Sequence, residues 1–537
     1  MIADRILLSE AVFTGNTLEP FAGGVAIAGN RVLAAGSKDE VMALAGPDTL
    51  VEDYGARLIA PGFNDSHLHF ASAAALNDPD FCVNLMGCTS ERECAERVRA
   101  FCEAHPHNEW VYGVGWDTAM WEQHETPSRD SLDCFAPEQP ICLSSFDHHA
   151  AWVNGAALAK AGITAETPQP EGGEIVRDAS GRPTGLLLGQ PASTQVSDLA
   201  LLVKGLKGSI LRLLDVFRGL GITAVGDMFP RDLSNDDIYD TYRQIKDEGD
   251  LSCRITFFPS LLEIPEALEM KTSFASDCLR VGGVKQVLDG VVEAQTAFML
   301  EPYEGTDHRG ETNLPPAQFK ELVRAADAAG LAVRVHCIGD AAARLALDAH
   351  EEAQRANGRK ELHHCLEHIE TIVDEDIERM AALGVGASVQ PLHATFGSST
   401  GFYDVCIGAD RASRCWRFRT VRDAGVPLGL STDFPAAPMV EPLQVLYAAV
   451  ARCMPDGEPA EGFHREYALA LGEALQCMTQ GSAWVESFDH ELGTLEPGKL
   501  ADLVVIDRNL FALDSLHDIV EASVVLTVVG GETVFER

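Results

Sequence analysis

The chain has 537 residues and 46% hydrophobic content, enough for one large domain with additions or for two to three domains. Its 41 Lys and Arg stand against 81 Asp and Glu, a formal net charge of −40. That balance argues against nucleic acid and against an anionic membrane, since both need a basic surface on the protein.

The 14 cysteines are scattered, with no Cys-x-x-Cys pair, in a chain too long for a small disulfide scaffold. Reduced thiols in a cytoplasmic enzyme are expected. Met1-Ile2-Ala3-Asp4-Arg5 lacks the basic start and long apolar core of a signal peptide, and no apolar run is long enough to span a membrane.

Residues 1–60 read as short strands, Arg5–Leu8, Gly24–Ala28 and Arg31–Ala35, separated by Gly and Asn turn signals. The C-terminal stretch 490–537 has the same character, with β-branched runs at Asp502–Ile506 and Ser523–Val529. The two ends are predicted to pair into one small β-domain, two independent hairpins being the alternative.

Between them, over 61–489, apolar runs alternate with amphipathic segments. The runs lie before His67 and at Gly221–Val225, Cys253–Phe258, Val281–Lys285, Leu331–His336, Cys365–His368, Val385–Val389 and Val426–Leu430. Phe319, Leu322, Val323 and Ala326 show helical spacing, and Gly330 stops that helix before the next strand. Such alternation implies an α/β fold with a parallel sheet, and eight runs suggest a closed (β/α)₈ TIM barrel. An open doubly wound sheet is the alternative, weakened because no Gly-x-Gly-x-x-Gly opens a helix after a strand.

The interval from about 71 to 200 breaks the rhythm and reads as an insertion after the first barrel strand. It carries Trp110, Trp116, Trp121 and Trp152. Insertions at strand carboxyl ends sit over barrel active sites, although tryptophans more often fill a core than touch a ligand.

His67 and His69 follow the break at Pro61-Gly62 with one residue between them. Residues i and i+2 of an extended chain face the same side, so both imidazoles can address one divalent metal. Lys285, His336, His368 and Asp433 likewise end or follow apolar runs, where barrel strands converge on a catalytic mouth. Any one of these six is more often structural. Six together favour one metal site.

These stretches resemble the amidohydrolase superfamily, in its YtcJ-like, N-substituted formamide deformylase-like branch. The resemblance runs from Pro61–His69 through Gly115-Trp116-Asp117, Asp147–Asn154 and Gly172–Val176. It continues through Val284-Lys285, Asp289-Gly290, Thr296-Ala297, His336–Asp340, Glu367-His368-Ile369, Gln390-Pro391 and Ser431-Thr432-Asp433, and closes at Gly493–Asp502. It implies a TIM barrel with a small β-sandwich built from both termini. It implies a divalent metal, zinc first, as one or two ions held by His67, His69, Lys285, His336, His368 and Asp433. Lys285 matches a lysine that many members carboxylate to bridge two metals, and Asp433 matches the catalytic proton carrier. His149, with His148 beside it, matches the family's histidine in the insertion. Trp116, Gln390 and His393 are carried as further candidate substrate contacts.

The resulting expectation is a metal-dependent hydrolase cleaving a non-peptide amide C–N bond of a small molecule. A mononuclear deaminase of the same superfamily and a catalytically inactive scaffold relative are the alternatives. A homodimer is the default expectation for a soluble oligomer.

Overall fold

The structure is a computed structural model that describes residues 1–122, 126–146, 150–170, 172–200, 206–230, 238–437 and 439–537. The chain divides into two compact units, one of Met1–Phe70, Leu214–Pro230 and Arg243–Arg537, the other of Ala71–Leu213 and Arg231–Tyr242.

In the first unit both ends of the chain enter one eight-stranded mixed sheet. Its order runs Glu532–Glu536, Val524–Val529, Leu503–Ile506, Leu58–Pro61, Ala3–Val12, Phe21–Ala28, Arg31–Gly36, with Ala45–Asp53 also on Ala3–Val12. Leu503 pairs antiparallel with Pro61, joining residues from opposite termini. Alternate residues on these strands point to opposite faces. Leu7, Val25, Ile27, Ile59, Leu503, Val505, Leu526 and Val528 form one apolar cluster, and Ile6, Leu8, Ala26 and Val41 belong to another.

The Pro61-Gly62 break divides two strands. Leu58–Pro61 belongs to the terminal sheet, and Phe63–Leu68 opens a parallel sheet with Ile222–Met228, Arg254–Phe258 and Leu279–Val281. A second parallel sheet follows as Gly283–Val287, Ala332–Cys337, Cys365–His368, Gly386–Val389 and Leu428–Leu430. Each of the eight apolar runs thus lies in a parallel strand, one of them split at Gly282. A Cβ on Gly282 would come 2.6 Å from both the Phe258 ring and the Thr256 side chain.

The two parallel sheets touch at both flanks. Ser260 bridges Lys285, while Thr432 N–H donates to Asp65 Oδ1 at 3.0 Å and Asp433 N–H to His67 O at 2.8 Å. Phe63–Leu68, Ile222–Met228 and Arg254–Phe258 are buried at every position, as strands covered on both faces should be. The helix Pro316–Ala328 buries Phe319, Val323 and Ala326 and is followed by Gly330 at φ +76°, the left-handed region open to glycine.

The second unit holds a six-stranded sheet ordered Glu174–Arg177, Pro183–Leu188, Ala150–Val153, Ile141–Ser145, Val111–Trp116, Cys82–Asn84. Trp116, Trp121 and Trp152 are buried against one another, with ring centroids 6.2 to 6.5 Å apart. All 14 cysteines are free thiols. Among the described residues no helix is long and apolar enough to cross a membrane.

Candidate active site

The carboxyl ends of the parallel strands in the first unit carry a dense polar cluster. His67 sits near the end of Phe63–Leu68 with His69 just beyond it, Lys285 on Gly283–Val287, and His336 on Ala332–Cys337. His368 ends Cys365–His368, and Asp433 follows Leu428–Leu430. His368 at φ +69° and Asp433 at φ +60° both hold left-handed backbone, a costly conformation for residues with a Cβ and one that clusters at functional sites.

These side chains converge. Asp433 Oδ1 lies 3.3 Å from His67 Nε2 and 3.5 Å from His69 Nε2. Lys285 Nζ lies 3.4 Å from His67 Nε2. The His368 ring centroid is 5.0 Å from that of His67 and 4.4 Å from that of His336.

Hydrogen bonds orient the rings of His67, His368 and His336. His67 Nδ1 lies 2.6 Å from Glu367 Oε2, so it donates, and its Nε2 lone pair faces Lys285 and Asp433. Glu367 is in turn held by Arg334 Nε at 2.5 Å. His368 donates Nδ1–H to Gln390 Oε1 at 2.9 Å, and Gln390 donates to Ser431 Oγ. His336 turns Nε2–H toward Gly290 O at 3.4 Å. A carboxylate or carbonyl behind an imidazole is how metal-binding histidines are oriented.

The electrostatics agree with a cation site. Burial, aided by Lys285, lowers His67 to about 4 and His336 to about 3, keeping both rings neutral. Burial also lowers Lys285 to about 8, with the Arg334 guanidinium adding to the shift against the opposing pull of Glu367. Burial alone would raise Asp433, but His67, His69 and His368 hold its carboxyl well below the usual range.

Two buried atoms in this cluster, His368 Nε2 and Asp433 Oδ1, have no hydrogen-bond partner. Such atoms are costly unless something coordinates them. Neutral imidazoles, an ionised carboxylate and orphaned lone pairs together fit a divalent ion. Among the described residues, two triads have ligand atoms close enough to share one, His67–His69–Asp433 and His368–Glu370–His393.

The six side chains of the cluster all line a cavity of about 410 Å³. Phe229, Val287, Val291, Ile338, Phe396 and Tyr403 give it an apolar wall, and Glu293, Glu370 and His393 add polar groups. His393 Nδ1 lies 3.3 Å from Glu370 Oε1, and its Nε2 lies 3.8 Å from Asp433 Oδ2.

Residues 51–535 match the Amidohydrolase family. The chain belongs to that family. It falls in the YtcJ-like, N-substituted formamide deformylase-like branch. It is 30% identical to Protein LONG AFTER FAR-RED 3 of Arabidopsis thaliana, over 100% of this chain and 92% of that one. It is 28% identical to N-substituted formamide deformylase of Arthrobacter pascens, over 99% of this chain and 98% of that one. A crystal structure of an uncharacterized metal-dependent hydrolase from Pyrococcus furiosus superposes with TM-score 0.76 at 26% identity, covering 94% of this chain and 99% of that one.

In this amidohydrolase the six side chains expected to hold metal lie together. His393 lines the cavity, and Gln390 sits behind His368 as its hydrogen-bond acceptor. Trp116 lies in the core of the second unit, its indole N–H donated to Leu143 O at 2.8 Å. His148 and His149 lie outside the described residues.

Sequence reasoning gave no role to Glu367, Arg334, Glu370, Glu293 or Tyr403. Glu367 and Arg334 carried a signal, since each is a charged residue inside an apolar run that becomes a buried strand. Glu293 and Tyr403 carried none, because they reach the cavity from loop and helix positions without periodicity.

Proposed function

We propose that this amidohydrolase is a metal-dependent hydrolase that cleaves the C–N bond of a non-peptide amide of the N-acyl or N-formyl amine type. In this reading the parallel strands close into a (β/α)₈ barrel, with 71–200 as its insertion, and the terminal strands form the accompanying β-sandwich. His67, His69, Lys285, His336, His368 and Asp433 hold zinc, as one or two ions. The observation that carries the reading is the convergence of these six side chains on one cavity, two of them presenting buried, unpartnered lone pairs.

A divalent ion held there lowers the pKa of water toward 7 and polarises a carbonyl. The protein's own groups do the rest. Glu367 and Gln390 keep His67 and His368 in the tautomers that leave Nε2 free. Asp433 is buried and anionic and faces His67 and His69, which suits it to take the proton of the attacking water and return it to the leaving amine nitrogen. Burial raises the neutral share of the Lys285 amine, which could add CO₂ with loss of a proton, and the resulting carbamate would offer a metal anionic oxygens that a lysine lacks. The apolar wall receives the substituent on nitrogen.

The test is a panel of N-formyl and N-acyl amines assayed for amine release, together with metal analysis of the purified protein. Asp433→Asn is expected to keep the fold and most of the metal while turnover falls about 10²- to 10⁴-fold. Release of ammonia from an aminated ring, with no acyl amine cleaved, would overturn the amide reading in favour of a deaminase.

A further inference from the structure

Among the described residues, the cavity has one carboxylate, Glu293, that belongs to neither metal-type triad. Glu293 and Glu370 both line the cavity, and Lys285 is the one Lys or Arg among its described lining residues. Glu370 is already engaged, accepting from the Tyr403 hydroxyl and facing His393 Nδ1 at 3.3 Å.

Glu293 stands on the turn after the Gly283–Val287 strand. That turn is pinned. Gly290 N–H donates to Thr296 O at 3.2 Å and Val291 N–H to Thr296 Oγ1 at 3.0 Å. The buried Asp289 carboxylate accepts from the N–H groups of Phe298, Ile338 and Gly339 at 2.8 to 3.0 Å. Glu293 is exposed and also lines the cavity, so on this fixed backbone it stands where the cavity meets solvent.

An acidic mouth, an apolar wall and a metal-type cluster occupy one cavity of about 410 Å³. We infer that the preferred substrate is an acyl amine whose nitrogen substituent is an apolar chain ending in a cation, such as a mono-acylated diamine. The acyl carbonyl sits at the histidine cluster, the methylenes lie on Val287, Val291 and Phe396, and the distal ammonium is received by Glu293 with Glu370 behind it. The net charge of −40 adds a long-range attraction for cations. The inference rests on the amide-hydrolase reading and names the substrate class that reading leaves open.

The experiment compares three near-isosteric formamides on the metal-loaded protein. They are N-pentylformamide, N-(4-aminobutyl)formamide and 4-formamidobutanoate, with the aminoalkyl chain also varied from three to six methylenes. Expected is a kcat/KM at least tenfold higher for the best ammonium substrate than for the neutral one, carried mostly by KM and shrinking at high salt, with the carboxylate poorest. In Glu293→Gln the ammonium-to-neutral ratio should fall toward one. Hydrolysis of the neutral formamide with no ammonium preference, or a preference that Glu293→Gln leaves intact, would overturn the inference while leaving the hydrolase reading standing. Calorimetric binding of 1,4-diaminobutane against butylamine supplies a readout that does not need turnover. If no formamide is cleaved, the hydrolase reading fails as stated, and equal binding of the two amines then removes the cation subsite as well.

Discussion

Single side chains beneath the active cavity show how much buried polarity this chain tolerates. Glu486 is fully buried and accepts from Asn64 Nδ2 at 3.2 Å and Thr256 Oγ1 at 3.4 Å, while its Oε1 has no partner. Burial pushes its carboxyl from 4.5 to about 8, against the opposing field of Arg334. Between those two values the unfolded chain gives up a proton that the folded chain keeps, so stability falls as pH rises from about 4.5 to about 8. Glu486→Gln removes that cost. Urea unfolding should show the variant gaining on the parent by about 1 to 4 kcal/mol between pH 5 and pH 8. A constant difference across that range would show that Glu486 does not titrate there. The same scale explains part of the gap between sequence and site. Glu367 stands next to His368 in the chain, yet it holds His67, 300 residues away. No spacing rule connects two residues at that separation.

At the scale of elements, several motif residues turn out to position the loops that carry chemistry. Asp502, the last residue of the Gly493–Asp502 stretch, forms a buried two-point ion pair with Arg254 at 2.6 and 2.8 Å. It ties the C-terminal sheet to the start of a parallel strand. Gly339 in His336-Cys337-Ile338-Gly339-Asp340 is set by close approach. A Cβ there would fall 2.0 Å from Phe298 O and 2.5 Å from its carbonyl carbon. Gly339→Ala must push the 296–298 segment away from the strand that carries His336. We expect a loss of about 1 to 3 kcal/mol, the usual cost of overpacking, with a larger fall in kcat/KM than in expression. Parent-like unfolding and kinetics would show that the loop yields freely. The glycine was legible as part of a motif, and its reason was not, because the opposing backbone, at Phe298, comes from 41 residues upstream.

For the whole molecule, metal and fold should be coupled. The cluster draws on both parallel sheets, from His67 to Asp433, and leaves His368 Nε2 and Asp433 Oδ1 without partners. An ion that binds only the folded chain stabilises it by mass action. Stripping metal with a chelator should lower Tm by several degrees, and zinc should restore it in a concentration-dependent way. A Tm that chelator and zinc both leave unmoved would place the ion, if any, outside this cluster. Lys285→Ala should shrink the shift, because it removes a side chain from the centre of the cluster.

Local order in the chain determined a good deal. Alternating apolar runs gave the parallel strands, because strand burial is written in consecutive residues. The Pro61-Gly62 break and His67-x-His69 marked the site, because two side chains on one face need only a spacing of two. Tertiary structure alone decided the rest: which nitrogen His67 and His368 leave free, why Glu367, Arg334 and Gln390 matter, that Glu293 and Glu370 share a cavity, and that Trp116 belongs to a core. Those facts depend on distances between residues tens to hundreds of positions apart, and such distances exist only once the strands have paired.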